Sequence, residues 1–176
     1  TTGRSCSGTG TTRHAAQWAT TRTELDGTTY PVLVEEVPGI TNDALTFHAD
    51  GSLEVRWQLR PGLKWSDGAP LTAEDLKFAL EVSPDPRIES VDVKSDTELS
   101  VRYRERVAVA LDPIQPMPKH VLKDVHAKGG FEAVRTHRQA HPLPSLGPYH
   151  VTKFEEDKIL IFERNPHFSG PPASLA

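Results

Sequence analysis

The sequence predicts an α+β domain: a mixed, mostly antiparallel sheet with two or three flanking helices. Three observations carry this. Apolar and polar residues alternate with period 2 in three segments that each fold back over a pair of turn residues, as β-hairpins do. A threonine and an aspartate three residues apart open an amphipathic run, the pattern of a capped helix. The 15 prolines and 12 glycines punctuate these segments at their ends and form no repeat, as the corners of a folded domain do.

In chain order, residues 1–23 have no apolar periodicity and are rich in Thr and Gly, which predicts a flexible leader or tether with Trp18 as its one large apolar group. "ELDGTTYPVLV" then carries an Asp26-Gly27 turn, and Pro31 favours an extended path into Val32–Val34. The clearest hairpin is "ALTFHADGSLEVRWQLRPG". Leu53, Val55, Trp57 and Leu59 alternate with Glu54, Arg56 and Gln58, so Trp57 is expected inside and the polar three on a wetter face. Asp50-Gly51 supplies the turn, and Leu45 to His48 pair back against the strand. Pro61-Gly62 stops it. A second hairpin is expected at "RIESVDVKSDTELSVRYRE", turning at Ser95-Asp96, and a third at "GPYHVTKFEEDKILIFERN", turning at Glu156-Asp157.

Helices are fewer. Thr72 and Asp75 have the spacing of a capping box, after which Leu76, Ala79 and Leu80 share a face. Pro118 suits the first turn of a second helix that turns Val121, Leu122 and Val125 inward and ends at Gly129-Gly130. Phe131 to about Gln139 is a weaker third. A chain of 176 residues is one domain by length and long enough to bury a core.

Composition excludes several functions. With 24 acids against 20 bases the formal net charge is -4, and no basic stripe offers this domain to nucleic acid. No apolar run approaches the roughly 20 residues of a membrane span. The one cysteine, Cys6, excludes an internal disulfide and a thiolate metal cluster. Its setting, "RSCSGTGTT", leaves two readings open: a lipid-anchored N-terminus, or a free thiol in a tether. Ser5 suits lipidation, whereas Arg4 and the missing apolar run before it do not. The chain does not begin with Met, which fits either a cleaved leader or a piece of a longer protein.

Catalytic chemistry is not evident. His137 and His141 have helical i, i+4 spacing, but Pro142 follows at once and no HExxH or facing carboxylate accompanies them, so no metal site is assigned. There is no GxSxG elbow and no phosphate-cradling glycine loop. The acidic runs Glu35-Glu36 and Glu155-Glu156-Asp157 lie beside turns, where charges are solvated. No cofactor and no enzyme activity are expected.

One stretch says more. "LRPGLKWSDGAPLTAEDLKFAL" (Leu59 to Leu80) resembles the signature of family 5 extracellular solute-binding proteins, the oligopeptide, dipeptide and nickel receptors of ABC importers. That pattern is a strand ending in L-R-x-G, an aromatic-x-D-G turn, and a T-A-x-D cap. Gly62 and Gly68 permit its backbone turns, Trp65 with Asp67 builds the turn, and Thr72 with Asp75 caps the helix. "PVLVEEVP" (Pro31 to Pro38) is similar to the family's P-x-L-A-E-x-W, with Val34 and Val37 departing from it. "MPKHVL", with Pro118, Lys119 and His120, is similar to I-P-K-H-V-L. "LGPYHVTKFEEDKILIFERNPHF" resembles G-x-G-P-Y-x-V plus a strand ending in R-N-P-x-Y, through Gly147, Pro148 and Tyr149 and then Arg164, Asn165 and Pro166. The first glycine of that motif is replaced, giving Ser145-Leu146-Gly147.

The resemblance implies a class II periplasmic-binding-protein fold, of which residues 24–168 would form the first lobe, with 169–176 as a tail. Family members are around three times longer and close two lobes over a solute, and this chain is also short between Phe78 and Ile88. The motif residues are expected to be structural. Matching the family's cleft-lining strand by position nominates Trp18, Thr21 and Arg22 as ligand contacts. The implied function is capture of peptides or similar small solutes for an ABC permease, in the periplasm or outside the cell. The alternative is a related sensor or regulatory domain, attached to a DNA-binding module in the parent protein and then cytoplasmic. A sheet edge left open also invites self-association.

Overall fold

The computed structural model describes residues 18–106, 111–155 and 159–170. Strands β1 (Thr21–Thr23), β2 (Thr29–Pro31), β3 (Leu45–Phe47) and β4 (Leu53–Gln58) precede helix α1 (Ala73–Val82). Strands β5 (Ile88–Val93) and β6 (Glu98–Tyr103), helix α2 (Lys119–Ala140), and strands β7 (Tyr149–Glu155) and β8 (Ile159–Arg164) complete the order. The centre is a four-stranded sheet ordered β3-β4-β6-β5, flanked by the ribbons β1-β2 and β7-β8. Every pairing among the described residues is antiparallel.

The alternation in β4 sets the core. Leu53, Val55 and Trp57 are buried while Arg56 is exposed and Glu54 and Gln58 half-buried. In register they face Tyr103, Val101 and Leu99 of β6, giving three stacked apolar cross-strand pairs. Helix α1 lays Ala73, Leu76 and Ala79 on this face. Its other side, through Phe78 and Val82, joins Leu122 and Val134 of α2 in a second cluster. So α1 is the middle layer, and truncating Leu76 would empty the main core at a cost of about 2–5 kcal/mol.

Helix α2 is two helical segments meeting at Gly129-Gly130, where Gly130 has φ 59 and ψ -147, a region essentially confined to glycine. The expected end of the second helix and start of the third fall at this kink. The edges of the central sheet are β3, only three residues long, and β5, which carries a register shift between Ile88 and Ser90. Short and irregular edges are the usual means by which sheets discourage further pairing.

One expectation needs correction. The tether does not run to residue 23: Thr20 and Thr21 are buried, and β1 pairs with β2 across the Asp26-Gly27 turn. Thr20 donates its N–H to the Ile114 carbonyl at 2.9 Å and accepts the Ile114 N–H on its hydroxyl at 3.0 Å. β-branched threonines fit a strand without apolar alternation, so the periodicity test overlooked them. Beyond Pro31, the last residue of β2, Leu33 and Val34 are both buried, and Val34 bridges to Leu59. Residues 1–17, including Cys6, lie outside the described residues, as do the Glu156-Asp157 turn and residues 171–176.

Candidate functional site

The chain leaving β4 turns twice. The Trp65 N–H donates to the Ala69 carbonyl at 2.8 Å, the Gly68 N–H to the Trp65 carbonyl at 2.9 Å, and the Leu71 N–H to the Leu63 carbonyl at 2.9 Å. "WSDG" is therefore the tip of a small hairpin, with Gly62 (φ 76) and Gly68 (φ 89) in the left-handed region. A Cβ on Gly68 would also sit 3.3 Å from His167 Nε2. The positive φ favours glycine there, and any larger residue would also displace the His167 ring by a few tenths of an ångström.

Each polar group of this turn reaches a different part of the chain. The Trp65 indole N–H donates to Asp75 Oδ2 at 3.3 Å, and Asp67 Oδ2 meets His120 Nε2 at 2.7 Å. The Ser66 N–H donates to the Ser145 carbonyl at 2.9 Å, and the Ser145 N–H returns to Ser66 Oγ at 3.0 Å. Two motifs that lie apart in sequence, at His120 and beside Ser145, thus meet the turn together with the cap at Asp75.

Asp75 is the centre of the junction. It is buried and occupies the capping-box position of α1 behind the N-cap Thr72. Its Oδ2 accepts the Thr72 N–H at 3.0 Å, while its Oδ1 accepts the Lys119 N–H at 2.9 Å. Both donors belong to helix N-termini, whose free N–H groups and positive dipole ends favour an anion. One carboxylate thus joins the starts of α1 and α2, with Pro118 as the N-cap of α2. Beside it, Lys119 Nζ donates to Glu74 Oε2 at 2.6 Å. This bond holds the Glu74 carboxyl below its ordinary value and the Lys119 ammonium above its own.

A second joint closes the β7-β8 ribbon. Asn165 is buried, and its Nδ2 donates to the Ser145 and Gly147 carbonyls at 3.3 and 2.9 Å. Its N–H donates to the Pro148 carbonyl at 2.9 Å, and its Oδ1 accepts the His167 N–H across Pro166 at 2.9 Å. Tyr149 pairs with Arg164 in register. A Cβ on Gly147 would lie 2.8 Å from Trp18 Nε1, so the small residue there lets the Trp18 ring approach.

On the other side of Leu63 and Leu146 lies an open cleft of about 270 Å³. Trp18 and Phe168, edge to face at 5.1 Å, line it together with Val32, Leu33, Leu63 and Leu146; Arg60, Lys64 and His167 supply its polar groups. A smaller cavity of about 20 Å³ behind Trp18 and Trp65 has room only for water. Of the three nominated ligand residues, Trp18 lines both cavities. Thr21 is buried on β1, and Arg22 is exposed and paired with Glu24 at 2.6 Å; neither borders the cleft. Periodicity did not single out Arg60, Lys64 or Phe168 as site residues. His137 and His141 stack on each other at 4.3 Å, and among the described residues no group of three or more His, Cys, Asp or Glu could hold a metal.

Residues 28–176 match the family model for bacterial extracellular solute-binding proteins, family 5 Middle, and the chain belongs to that family. Its fold is that of part of a class II periplasmic-binding protein. Among solved structures it is similar to the oligopeptide binding protein from Thermus thermophilus complexed with pentapeptide, with a TM-score of 0.73, 25% identity, and coverage of 92% of this chain and 33% of that one. NikZ from Campylobacter jejuni, in complex with Ni(L-His), shares the fold with a TM-score of 0.66 at 21% identity over 89% of this chain and 31% of that one. Among curated relatives, the periplasmic alpha-galactoside-binding protein of Rhizobium meliloti is 25% identical over 141 residues, 65% of this chain and 20% of the relative. The oligopeptide-binding protein AppA of Bacillus subtilis is 28% identical over 139 residues, 70% of this chain and 25% of the relative. The chain thus spans between a fifth and a quarter of the length of these curated relatives. The relatives named are binding proteins, and the family is an extracellular one. Among the described residues no helix is long and apolar enough to cross a membrane.

Proposed function

We propose that these residues belong to a receptor that captures peptides or similar small solutes outside the cell and delivers them to an ABC permease. The observation that carries this is the family match over residues 28–176, on a chain whose motif junction leaves an open apolar cleft beside it. The work is binding rather than catalysis: among the described residues the cleft lining has aromatic and aliphatic walls and two cations but no carboxylate. Trp18 is the direct contact, whereas Thr21 and Arg22, nominated with it as ligand contacts, do not border this cleft. A lipid anchor at Cys6 would hold such a receptor at the membrane surface beside its permease. The alternative of a sensor domain joined to a DNA-binding module draws no support from the relatives named above.

A cleft open on one side contacts only one face of a solute, whereas ligand pockets usually bury about 70–90% of theirs. Hydrogen bonds made there compete with water and are worth about 0.5–1.5 kcal/mol each, against several kcal/mol of association entropy. The 176-residue chain is therefore expected to bind di- to pentapeptides with dissociation constants in the millimolar range, about -4 kcal/mol. Nuclear magnetic resonance titration with a mixed peptide library tests this. Fast-exchange shifts centred on Trp18, Leu63 and Phe168 support the reading. Shifts confined to the second half of α2, or no shifts at all, contradict it, and sub-micromolar binding would show that this chain alone encloses its ligand.

A further inference from the structure

We infer that the cleft is an anion-selective subsite that takes an apolar carboxylate, with the carboxyl-terminal residue of a peptide as the fitting example. The inference rests on the solute-binding reading and names the substrate class for it. Arg60 and Lys64 both line the cleft, and among the described residues no Asp or Glu does. Elsewhere Arg87, Arg102 and Lys119 each meet a carboxylate at 2.6 to 2.7 Å. Arg60 instead donates to two backbone carbonyls, from Nε to Val34 at 3.0 Å and from Nη2 to Pro31 at 3.1 Å. These bonds fix the guanidinium at the rim with its charge unneutralised among the described residues, and its remaining N–H groups suit a carboxylate. Lys64 is exposed and makes no ion pair among the described residues. In a chain of net charge -4, two such cations beside one cleft are a local reversal of sign, which draws in anions and repels cations.

Size and lining complete the specificity. A volume of about 270 Å³ lies just below the roughly 300–1,000 Å³ of common ligand pockets, so one side chain and its carboxylate fit where a whole peptide does not. The walls are the rings of Trp18 and Phe168, and Leu33 and Leu63 are buried beneath. An aromatic or branched apolar side chain stacks against such walls while its carboxylate meets the cations.

Trp18 is the reporter, because Trp57 and Trp65 are 0% and 3% exposed. Fluorescence titration of the 176-residue chain compares N-acetylphenylalanine with its neutral amide. The acid is expected to bind about tenfold tighter, since a charge-assisted contact is roughly twice as strong as a neutral one, and the difference should shrink in high salt. Lys64→Met should weaken the acid by about threefold to tenfold and leave the amide unchanged. Arg60→Met should weaken it further, but it also frees the Pro31 and Val34 carbonyls, so the Lys64 variant decides. Acid and amide binding equally would overturn anion selectivity and leave solute binding intact. Neither binding, in the face of library shifts elsewhere, would overturn the subsite, and neither binding with no library shifts would overturn both readings. Comparing Ala-Ala-Phe with 3-phenylpropionate separates the two sources of this chemistry: tighter binding of either supports the pocket and identifies peptide terminus or free carboxylate.

Discussion

Within the nine residues from Arg60 to Gly68, polar groups meet two opposite fates. At Trp65, Ser66 and Asp67 each has a partner inside the protein: Asp75, Ser145 and His120. At Arg60 and Lys64, a few residues earlier, two positive charges line a cleft that has no acid among the described residues. The contrast bears on how a family signature is read. The residues that make the stretch recognisable are the ones whose hydrogen bonds tie separate motifs together, which supports a structural role for them. Arg60 stands in both groups: its guanidinium ties Val34 and Pro31 to the signature while its charge meets no carboxylate among the described residues.

If this division holds, the largest loss of stability follows from the junction's centre. Asp75→Ala removes the acceptor of three N–H groups, and hydrogen bonds to charged groups are worth about 1.5–3 kcal/mol each. A loss of about 3 kcal/mol or more in urea unfolding is expected, and less than about 1 kcal/mol would show that the junction does not depend on this carboxylate. Gly68→Val should cost about 2 kcal/mol, because a β-branched residue is strained at φ 89 and its Cβ meets His167. Thr72→Ala should cost about 1 kcal/mol. Its backbone N–H, which donates to Asp75, survives the substitution, so a loss as large as that of Asp75→Ala would move the weight of the cap to the hydroxyl.

The smallest effect lies away from the junction. Hydrogen bonds from Ser52 hold the Asp50 carboxyl down at about 2, and the Ser100 hydroxyl with His48 lowers Glu54. Both groups are depressed in the folded state, so their contribution is fully present above the ordinary 4.5 of a Glu and is lost as pH falls through the folded values. Unfolding midpoints should therefore decline below about pH 4.5, and Ser100→Ala should flatten that decline. An unchanged slope would mean that the Ser100–Glu54 bond does not persist in solution.

Much of the fold was legible because its signals are local. Asp50-Gly51, the alternation from Leu53 to Leu59, the Thr72–Asp75 spacing and Gly129-Gly130 each act within a few residues, and each element lies where they place it. Strand β1 was not legible, since threonines pairing across a turn carry no apolar period. The convergence on "WSDG" was hidden for another reason. The Asp75–Lys119 and Ser66–Ser145 bonds span 44 and 79 residues, and no periodicity reports contacts of that separation. The cleft was still less visible, because it is assembled from Trp18, the Pro31–Leu33 segment, Arg60 to Lys64, Leu146 and the His167–Gly170 segment. Of these only Trp18 had been nominated, by position in the family pattern.

Urea unfolding of Asp75→Asn and Lys64→Met, each with and without excess N-acetylphenylalanine, tests the division most directly. A ligand that binds only the folded state raises its stability by RT ln(1 + [L]/Kd), so one titration reads both stability and binding. Asp75→Asn is expected to lower the midpoint without ligand and to keep the wild-type increment when ligand is added. Lys64→Met is expected to leave the midpoint without ligand within about 0.5 kcal/mol of wild type and to lose most of the increment. The account is contradicted if Lys64→Met destabilises as much as Asp75→Asn, or if Asp75→Asn abolishes the increment while the protein remains folded.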